Sequence, residues 1–383
     1  MKLAFKKQKI VIFIDWFLPA YKAGGPIRSI KNLVETLHKE FDYYLITSNT
    51  DIGNDDFLNV KSDVWIDKEK IKIIYLSKNK QTAKFYRILI KEISPNIIYI
   101  NSLFSLKFSI LPLWIFKKTE IKIILAPRGM LGNRSLEIKK TKKRIFLSLA
   151  KLIKLHEDIL WHASSKIEDN EIRQNFGQHI SSSIIPNLAP ISSGIYDKTI
   201  LKEKGNLKII SICRISKIKN IDFLLTIISK IEANISLSLV GPIEDNDYWN
   251  KCKKIINKMP NNCNVKHIED LDFDEINNEI LKHHLFISTS KNENYGHSIV
   301  EALSMSCPVL ISENTPWKNL EQYNAGNELP LDENLFIKYI NLFTDLSEGE
   351  LNKYRNGAKS YYNKFINIEI NKTKYLKLFS CEN

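Results

Sequence analysis

Residues 285–311 read LFISTSKNENYGHSIVEALSMSCPVLI. Leu285–Ser288 is a short apolar run, and Pro308–Ile311 is another. Between them a polar stretch ends at Gly296, and Ile299, Val300 and Leu303 then recur at helical spacing. Short continuous apolar runs on either side of a helical segment are what buried parallel strands joined by a crossover helix look like.

The same alternation extends in both directions. Toward the amino terminus the runs are Ile10–Ile14, Tyr44–Thr47, Ile71–Leu76, Ile97–Ile100 and Ile121–Leu125, then Leu207–Ile212, Ile235–Val240 and Val265–Ile268. Segments such as Ser29–Leu37 and Ile221–Ile231 carry the helical period between them. Repeated strand–helix alternation predicts doubly wound α/β sheets. At 383 residues the chain is long enough for two such domains. Pro186, Asn187, Pro190 and adjacent serines mark a linker near 184–193. The expected organisation is an N-terminal Rossmann-like domain over 1–190 and a second over 191–360. A C-terminal helical segment, 361–383, is expected to cross back to the first. The two parallel sheets are expected to face each other across a cleft.

The charge is uneven. Of 56 basic and 43 acidic residues, 32 basic and 18 acidic fall in 1–190, leaving 24 and 25 in the remainder. The whole positive excess therefore lies in the first half, which favours an anionic partner there. Five cysteines without a Cys-x-x-Cys pair exclude a disulfide framework or a zinc site. The apolar run at Ile10 is interrupted by Asp15, too early for a signal peptide, and Ser109–Phe116 is too short to span a bilayer.

Three clusters can carry chemistry. The first strand leads into the loop Asp15–Pro26, where Gly24 and Gly25 precede a helix and allow close backbone approach to an anion. A flexible loop is the plain alternative, and the absence of Gly-x-Gly-x-x-Gly disfavours a dinucleotide. Arg214 and Lys219 flank the loop after Leu207–Ile212, a cation pair suited to a diphosphate or simply a solvated basic loop. Glu293 lies in the loop before the 297 helix and Glu301 within it, with Gly296 at its start. A carboxylate there can accept from sugar or ribose hydroxyls, or merely complement the helix dipole. Glu301, flanked by Val300, Ala302 and Leu303, is expected to point into a polar cleft.

Together these clusters resemble the family 4 glycosyltransferases of the GT-B architecture. The matching pattern is Arg214, Lys219, Gly241-Pro242, and Glu293 with Glu301 as Glu-x7-Glu. Thr315-Pro316-Trp317, Gly24-Gly25, Ala126–Leu131, Ser164–Glu168 and Ile185-Pro186-Asn187 are similar too, covering nearly the whole chain. The resemblance implies that Arg214 and Lys219 bind the donor diphosphate, Glu293 the donor sugar and Glu301 the ribose. Gly241 and the backbone of Asn294, Tyr295 and Gly296 would complete the donor site, with Gly24 and Gly25 against the phosphates. It implies a retaining reaction without metal or cofactor, a nucleotide-sugar donor (UDP or GDP undistinguished) and a glycan or lipid-linked acceptor. The context would be bacterial surface polysaccharide or lipopolysaccharide synthesis. On the acceptor side Asn101 stands where many members carry a histidine, and Arg128 and His162 are further candidates. Lys219-Asn220 replaces the usual Lys-Gly.

The segment Lys139–Lys154 carries seven basic residues and no acidic one. Ile145, Phe146, Leu149, Leu152 and Ile153 recur at helical spacing and are expected to pack on the core, while the basic cluster at its start is assigned to an anionic membrane surface. The protein is expected to be cytoplasmic and peripheral on the inner face of the membrane. A nucleotide-sugar 2-epimerase of the same architecture is the nearest alternative activity. A nucleic-acid partner is disfavoured, because aromatic–basic interleaving and a helix-turn-helix are lacking.

Overall fold

The structure, a computed structural model, describes residues 7–20, 22–53, 57–137, 140–190, 200–269, 271, 273–366 and 368–380. The chain forms two compact units, one of Met1–Ile191 with Ile368–Asn383 and one of Ser192–Asn367.

Unit 1 contains β1 (Gln8–Ile14), β2 (Phe41–Ser48), β3 (Trp65–Lys68), β4 (Ile71–Leu76), β5 (Ile97–Asn101), β6 (Lys122–Ala126), β7 (Leu160–Ala163) and β8 (Ser182–Ile184). They form one sheet in the order β3-β4-β2-β1-β5-β6-β7-β8. Every pairing is parallel except β3 with β4. Alternation along β1 shows why the run is apolar throughout: Val11 and Phe13 enter one core, and Ile10, Ile12 and Ile14 enter the other. Both faces of the sheet are covered, so neither parity can be polar.

Helices fill the crossovers. The one at Gly25–Leu37 buries Ile27, Ile30, Leu33, Val34 and Leu37 on one stripe. It starts a turn before the apolar spacing at Ser29, because Gly24 caps it at φ 66° and Pro26 suits its first turn. The expected crossing segment divides. The helix Glu348–Phe365 belongs to unit 2, and only Ile368–Leu378 joins unit 1. There Tyr375, Leu378 and Phe379 enter the core, and Lys122 Nζ donates to the carbonyls of Leu378 (2.8 Å) and Ser380 (2.7 Å).

Unit 2 contains β9 (Asn206–Ile212), β10 (Asn234–Val240), β11 (Cys263–Ile268), β12 (Leu285–Ser288), β13 (Val309–Ser312) and β14 (Gly326–Leu329). The order is β11-β10-β9-β12-β13-β14, all parallel. In each unit the strand order reverses once, between β1 and β5 and between β9 and β12. Loops leaving the two strands at such a point diverge and open a crevice at the carboxyl edge of the sheet.

Residues 140–152 form the expected basic helix, but its apolar face is not core. Ile145, Leu149 and Leu152 are more than half exposed, and so is Ile153 just beyond. Leu147 and Ala150 hold the helix to the unit instead, with Phe146 edge-on to Phe104 and His156. Lys139 lies outside the described residues. No described helix is long and apolar enough to cross a membrane.

Candidate donor site and the carboxyl edge of unit 1

In unit 2 the crevice between β9 and β12 brings Lys219 and Glu293 together. Lys219 Nζ lies 2.5 Å from Glu293 Oε1, with side chains 15% and 14% exposed. Ser290 Oγ donates to the same oxygen at 2.9 Å. Oε1 is thus committed, while Oε2 has no protein partner among the described residues. The two loops are stitched by backbone: Lys291 N donates to the Ile218 carbonyl (2.8 Å), and Thr289 Oγ1 to the carbonyls of Lys219 (3.3 Å) and Asn220 (3.1 Å). Asn220 caps the next helix at φ 57°. Asparagine tolerates this left-handed position, so Lys-Asn can replace Lys-Gly there without distorting the loop.

Arg214 Nη1 pairs with Glu244 Oε1 at 2.8 Å. Its Nε and Nη2 have no protein partner among the described residues, which leaves part of the guanidinium fork for a ligand. Gly241 acts through its lack of a side chain. At φ 135° a Cβ would lie 2.2 Å from the Cys213 carbonyl oxygen, so only glycine lets the end of β10 approach the Arg214 loop. Gly296, at φ 75°, caps the helix His297–Ser304. Tyr295 is an anchor: its ring is buried against Trp317 and His297, and its carbonyl accepts from Trp317 Nε1 at 2.6 Å. Asn294 is partly exposed beside it. Glu301 is 5% exposed, so it is buried in its helix rather than set out in an open cleft.

The edge of unit 1 holds a separate polar network. Arg128, at φ 56° after β6, donates from Nε (3.0 Å) and Nη2 (2.6 Å) to Asn101 Oδ1, from Nη1 to Asn187 Oδ1 (2.5 Å) and from Nη2 to Tyr99 OH (2.7 Å). His162 Nε2 donates to the Ile185 carbonyl (2.9 Å), so Nδ1 is the acceptor for Tyr99 OH (2.6 Å). Burial, reinforced by Arg128, pushes the His162 imidazole down to about 3, so it is neutral. These positions need correction. His162 is fully buried with both nitrogens committed, and it supports Arg128 through Tyr99 instead of meeting a ligand. Asn101, also buried, is the oxygen that braces Arg128. Gly129 N and Ser164 N and Oγ all donate to the buried Glu168, which ties the Arg128 loop to the helix Lys166–Phe176. Gly24 and Gly25 lie at the same edge, where the Gly25 and Ile27 amides have no intrahelical partner. Asp15, immediately after β1, accepts from Ser105 Oγ at 2.5 Å. A cavity of about 860 Å³ opens at the opposite ends of β6 and β7, lined by Lys151, His156 and Phe176 among others, and contains only spectators of these networks.

Residues 194–328 match the family model for glycosyl transferases, group 1. Unit 2 carries a glycosyl transferases group 1 domain. The enzyme class follows from that domain: a glycosyltransferase. Arg214, Lys219, Gly241, Glu293, Gly296 and Glu301 all lie within the matched span. Comparison with curated proteins gives no match. Among solved structures, sucrose-phosphate synthase from Thermosynechococcus elongatus is similar at TM-score 0.73 and 15% identity, covering 97% of this chain and 98% of that one. HepE of Anabaena, in complex with UDP and glucose, is similar at TM-score 0.68 and 15% identity over 97% and 99%. WaaG, described as a glycosyltransferase involved in lipopolysaccharide biosynthesis, follows at TM-score 0.67 and 11% identity over 97% and 100%. These likenesses carry the fold, two Rossmann-like units of the GT-B type.

Proposed function

We propose that the protein is a retaining, metal-independent glycosyltransferase that moves a sugar from a nucleoside diphosphate to a membrane-associated glycan or lipid-linked acceptor, in the synthesis of a bacterial surface polysaccharide. The observation that carries the donor half is the Lys219–Glu293 pair at the switch point of the group 1 domain, beside the half-committed Arg214. Lys219, Arg214 and the amides at the start of the helix His297–Ser304 would stabilise charge developing on the leaving diphosphate. Glu293 Oε2 would accept from a sugar hydroxyl. The bond from the anomeric carbon to the phosphate oxygen breaks, the acceptor oxygen takes its place on the same face, and its proton leaves with the phosphate. A donor carrying UDP is favoured by the likeness to HepE, which binds UDP-glucose.

Metal independence is supported by what the Asp245-x-Asp247 carboxylates do. Asp245 caps the helix Asn246–Ile256, accepting from Tyr248 N at 2.9 Å, and faces Lys217 at 3.5 Å. It is committed to helix and loop rather than to a divalent ion.

The basic helix supports a cytoplasmic, peripheral place on the inner membrane face. Lys140, Lys142, Arg144, Lys151 and Lys154 are exposed beside Ile145, Leu149, Leu152 and Ile153. A cationic helix with an unpartnered apolar stripe matches an anionic bilayer. Trp114, 58% exposed, sits one turn before Lys117, whose Nζ donates to the carbonyls of Ile153 (3.3 Å) and Lys154 (2.9 Å). Such a ring suits the headgroup boundary.

The test is incubation of the protein with UDP-glucose, UDP-N-acetylglucosamine and GDP-mannose, with and without a bacterial lipid extract, following both nucleotide release and the anomeric configuration of the product. Acceptor-dependent release with retention is the expected result. Conversion of the donor without any acceptor would point to an epimerase and overturn the reading.

A further inference from the structure

The cavity of about 860 Å³ lies at the amino ends of β6 and β7, about 15 Å along the strands from the edge that carries Arg128. One aromatic stack forms part of its wall. The His156 ring stacks on Trp161, with 5.4 Å between centroids and 27° between planes, and Phe176 packs against both at 4.7 Å. The turn after the helix Lys140–Leu152 sets His156 there. Leu155 N donates to the Ala150 carbonyl at 2.8 Å, and Lys117 Nζ holds the carbonyls of Ile153 and Lys154. His156 is 9% exposed and lines the cavity, yet neither ring nitrogen has a hydrogen-bond partner among the described residues. Trp161 Nε1 is buried without one as well.

Buried polar groups are nearly always hydrogen-bonded, so an unpaired imidazole in the wall of a cavity calls for a partner that enters it. Water alone is a poor match, because the cavity is far larger than the about 30 Å³ a water occupies and the partly exposed Phe176 ring gives it an apolar face. The charged groups narrow the choice. Glu120, Glu157 and Asp158 on the lining offset Lys122, Lys151 and Lys154. Lys154 pairs with Glu157 at 3.0 Å, and Lys122 is held by the carbonyls of Leu378 and Ser380. The balance of signs favours neither an anion nor a cation. Among the described residues no cluster of His, Cys, Asp and Glu is arranged to hold a metal. An alkyl chain would leave the imidazole unpaired. Burial, reinforced by Lys117, holds the His156 imidazole down at about 3, so the ring is neutral and offers one N–H and one lone pair. A hydroxyl both donates and accepts. A sugar ring carries several hydroxyls around apolar C–H faces, which suit the ring of Phe176 and the mixed charges of the lining.

We propose that this cavity is a saccharide-binding site remote from the transfer chemistry, in which one sugar ring lies on Phe176 and a hydroxyl pairs with His156. Only the supply of a saccharide rests on the transferase reading above, since binding here needs no turnover.

Saturation-transfer NMR on the full-length protein tests this, with the methyl glycosides of glucose, galactose, mannose and N-acetylglucosamine as probes and uridine and hexanol as controls. At least one glycoside is expected to bind. His156→Phe keeps the aromatic stack and removes the unpaired nitrogens, so its Tm should not fall, while the dissociation constant for that glycoside should rise about fivefold or more. Glu157→Gln changes an exposed side chain on the lining, leaves the core untouched and should raise the same constant about twofold or more. No glycoside bound by wild type, a glycoside that binds either folded variant as tightly as wild type, or uridine or hexanol bound in its place overturns the inference and leaves the transferase reading intact. A protein that binds a glycoside in this way but turns over no donor overturns the transferase reading and leaves the inference standing.

Discussion

Lys219→Met tests whether the ion pair of unit 2 serves the reaction or the fold. Two costs can be separated. If Lys219 stabilises the departing diphosphate, its loss removes one preorganised charge partner, which typically lowers turnover by about 10²–10³-fold, or about 2.7–4 kcal/mol of barrier. The fold loses the partner of a carboxylate that is 14% exposed. Breaking a fully buried pair costs about 3–5 kcal/mol, but here Ser290 stays on the carboxylate and solvent reaches it, so about 1–2 kcal/mol is the better figure. For a unit of this size that is roughly 2–8 °C in Tm. The double variant Lys219→Met/Glu293→Gln removes the uncompensated charge. Its Tm should return toward wild type while its turnover stays low. Tm comes from calorimetry and turnover from nucleotide release. A Lys219→Met protein with wild-type turnover would refute the assignment, and so would a double variant that regains rate along with stability.

Gly241→Ala should destabilise unit 2 by about 2–3 kcal/mol in urea unfolding, because its Cβ would meet the Cys213 carbonyl oxygen at 2.2 Å; an unaffected midpoint would contradict that close approach. His162 is neutral in the fold, with its imidazole at about 3, while an unfolded chain protonates near 6.5, so its stabilising contribution is complete above about pH 6.5 and is lost as pH falls toward 3. At pH 5 the loss is about 2 kcal/mol, and His156, also held at about 3 by burial, adds a similar amount; stability that stays flat from neutrality to pH 5 would contradict both. Sedimentation with phosphatidylglycerol vesicles should fall when Lys140, Lys142 and Arg144 become glutamate, at about 1 kcal/mol for each charge, and again for Leu149→Ser/Leu152→Ser; equal binding by all variants would remove the membrane assignment.

Most strands were legible because parallel strands covered on both faces have no polar parity to hide them. Leu285–Ser288 and Ile71–Leu76 stand in the structure with the predicted bounds. Trp65–Lys68, Ser182–Ile184 and Gly326–Leu329 were not read as strands: they are three or four residues long, partly polar, and at or next to a sheet edge, where pairing with a neighbour decides the conformation. The donor residues were legible as a spaced pattern, but the bond from Lys219 to Glu293 was not, since 74 residues separate them. Position 220 looked like a departure from Lys-Gly until its left-handed φ showed what the glycine supplies there. For Asn101 and His162, residue type and strand end say nothing of which neighbours occupy their polar atoms. The helix 140–152 was misread because amphipathic spacing shows that an apolar stripe exists, not whether anything covers it.

The central claim is that the loops after β9 and β12 bind the diphosphate of a sugar donor without a metal. Calorimetric titration of UDP, GDP and ADP into the wild-type protein, Lys219→Met and Arg214→Ala, all in excess EDTA, tests it most directly. Binding of at least one of these nucleotides to wild type, weakened about tenfold or more in each variant, is the predicted result. A wild-type protein that binds none of them under chelation, or variants that bind as tightly as wild type, would contradict it.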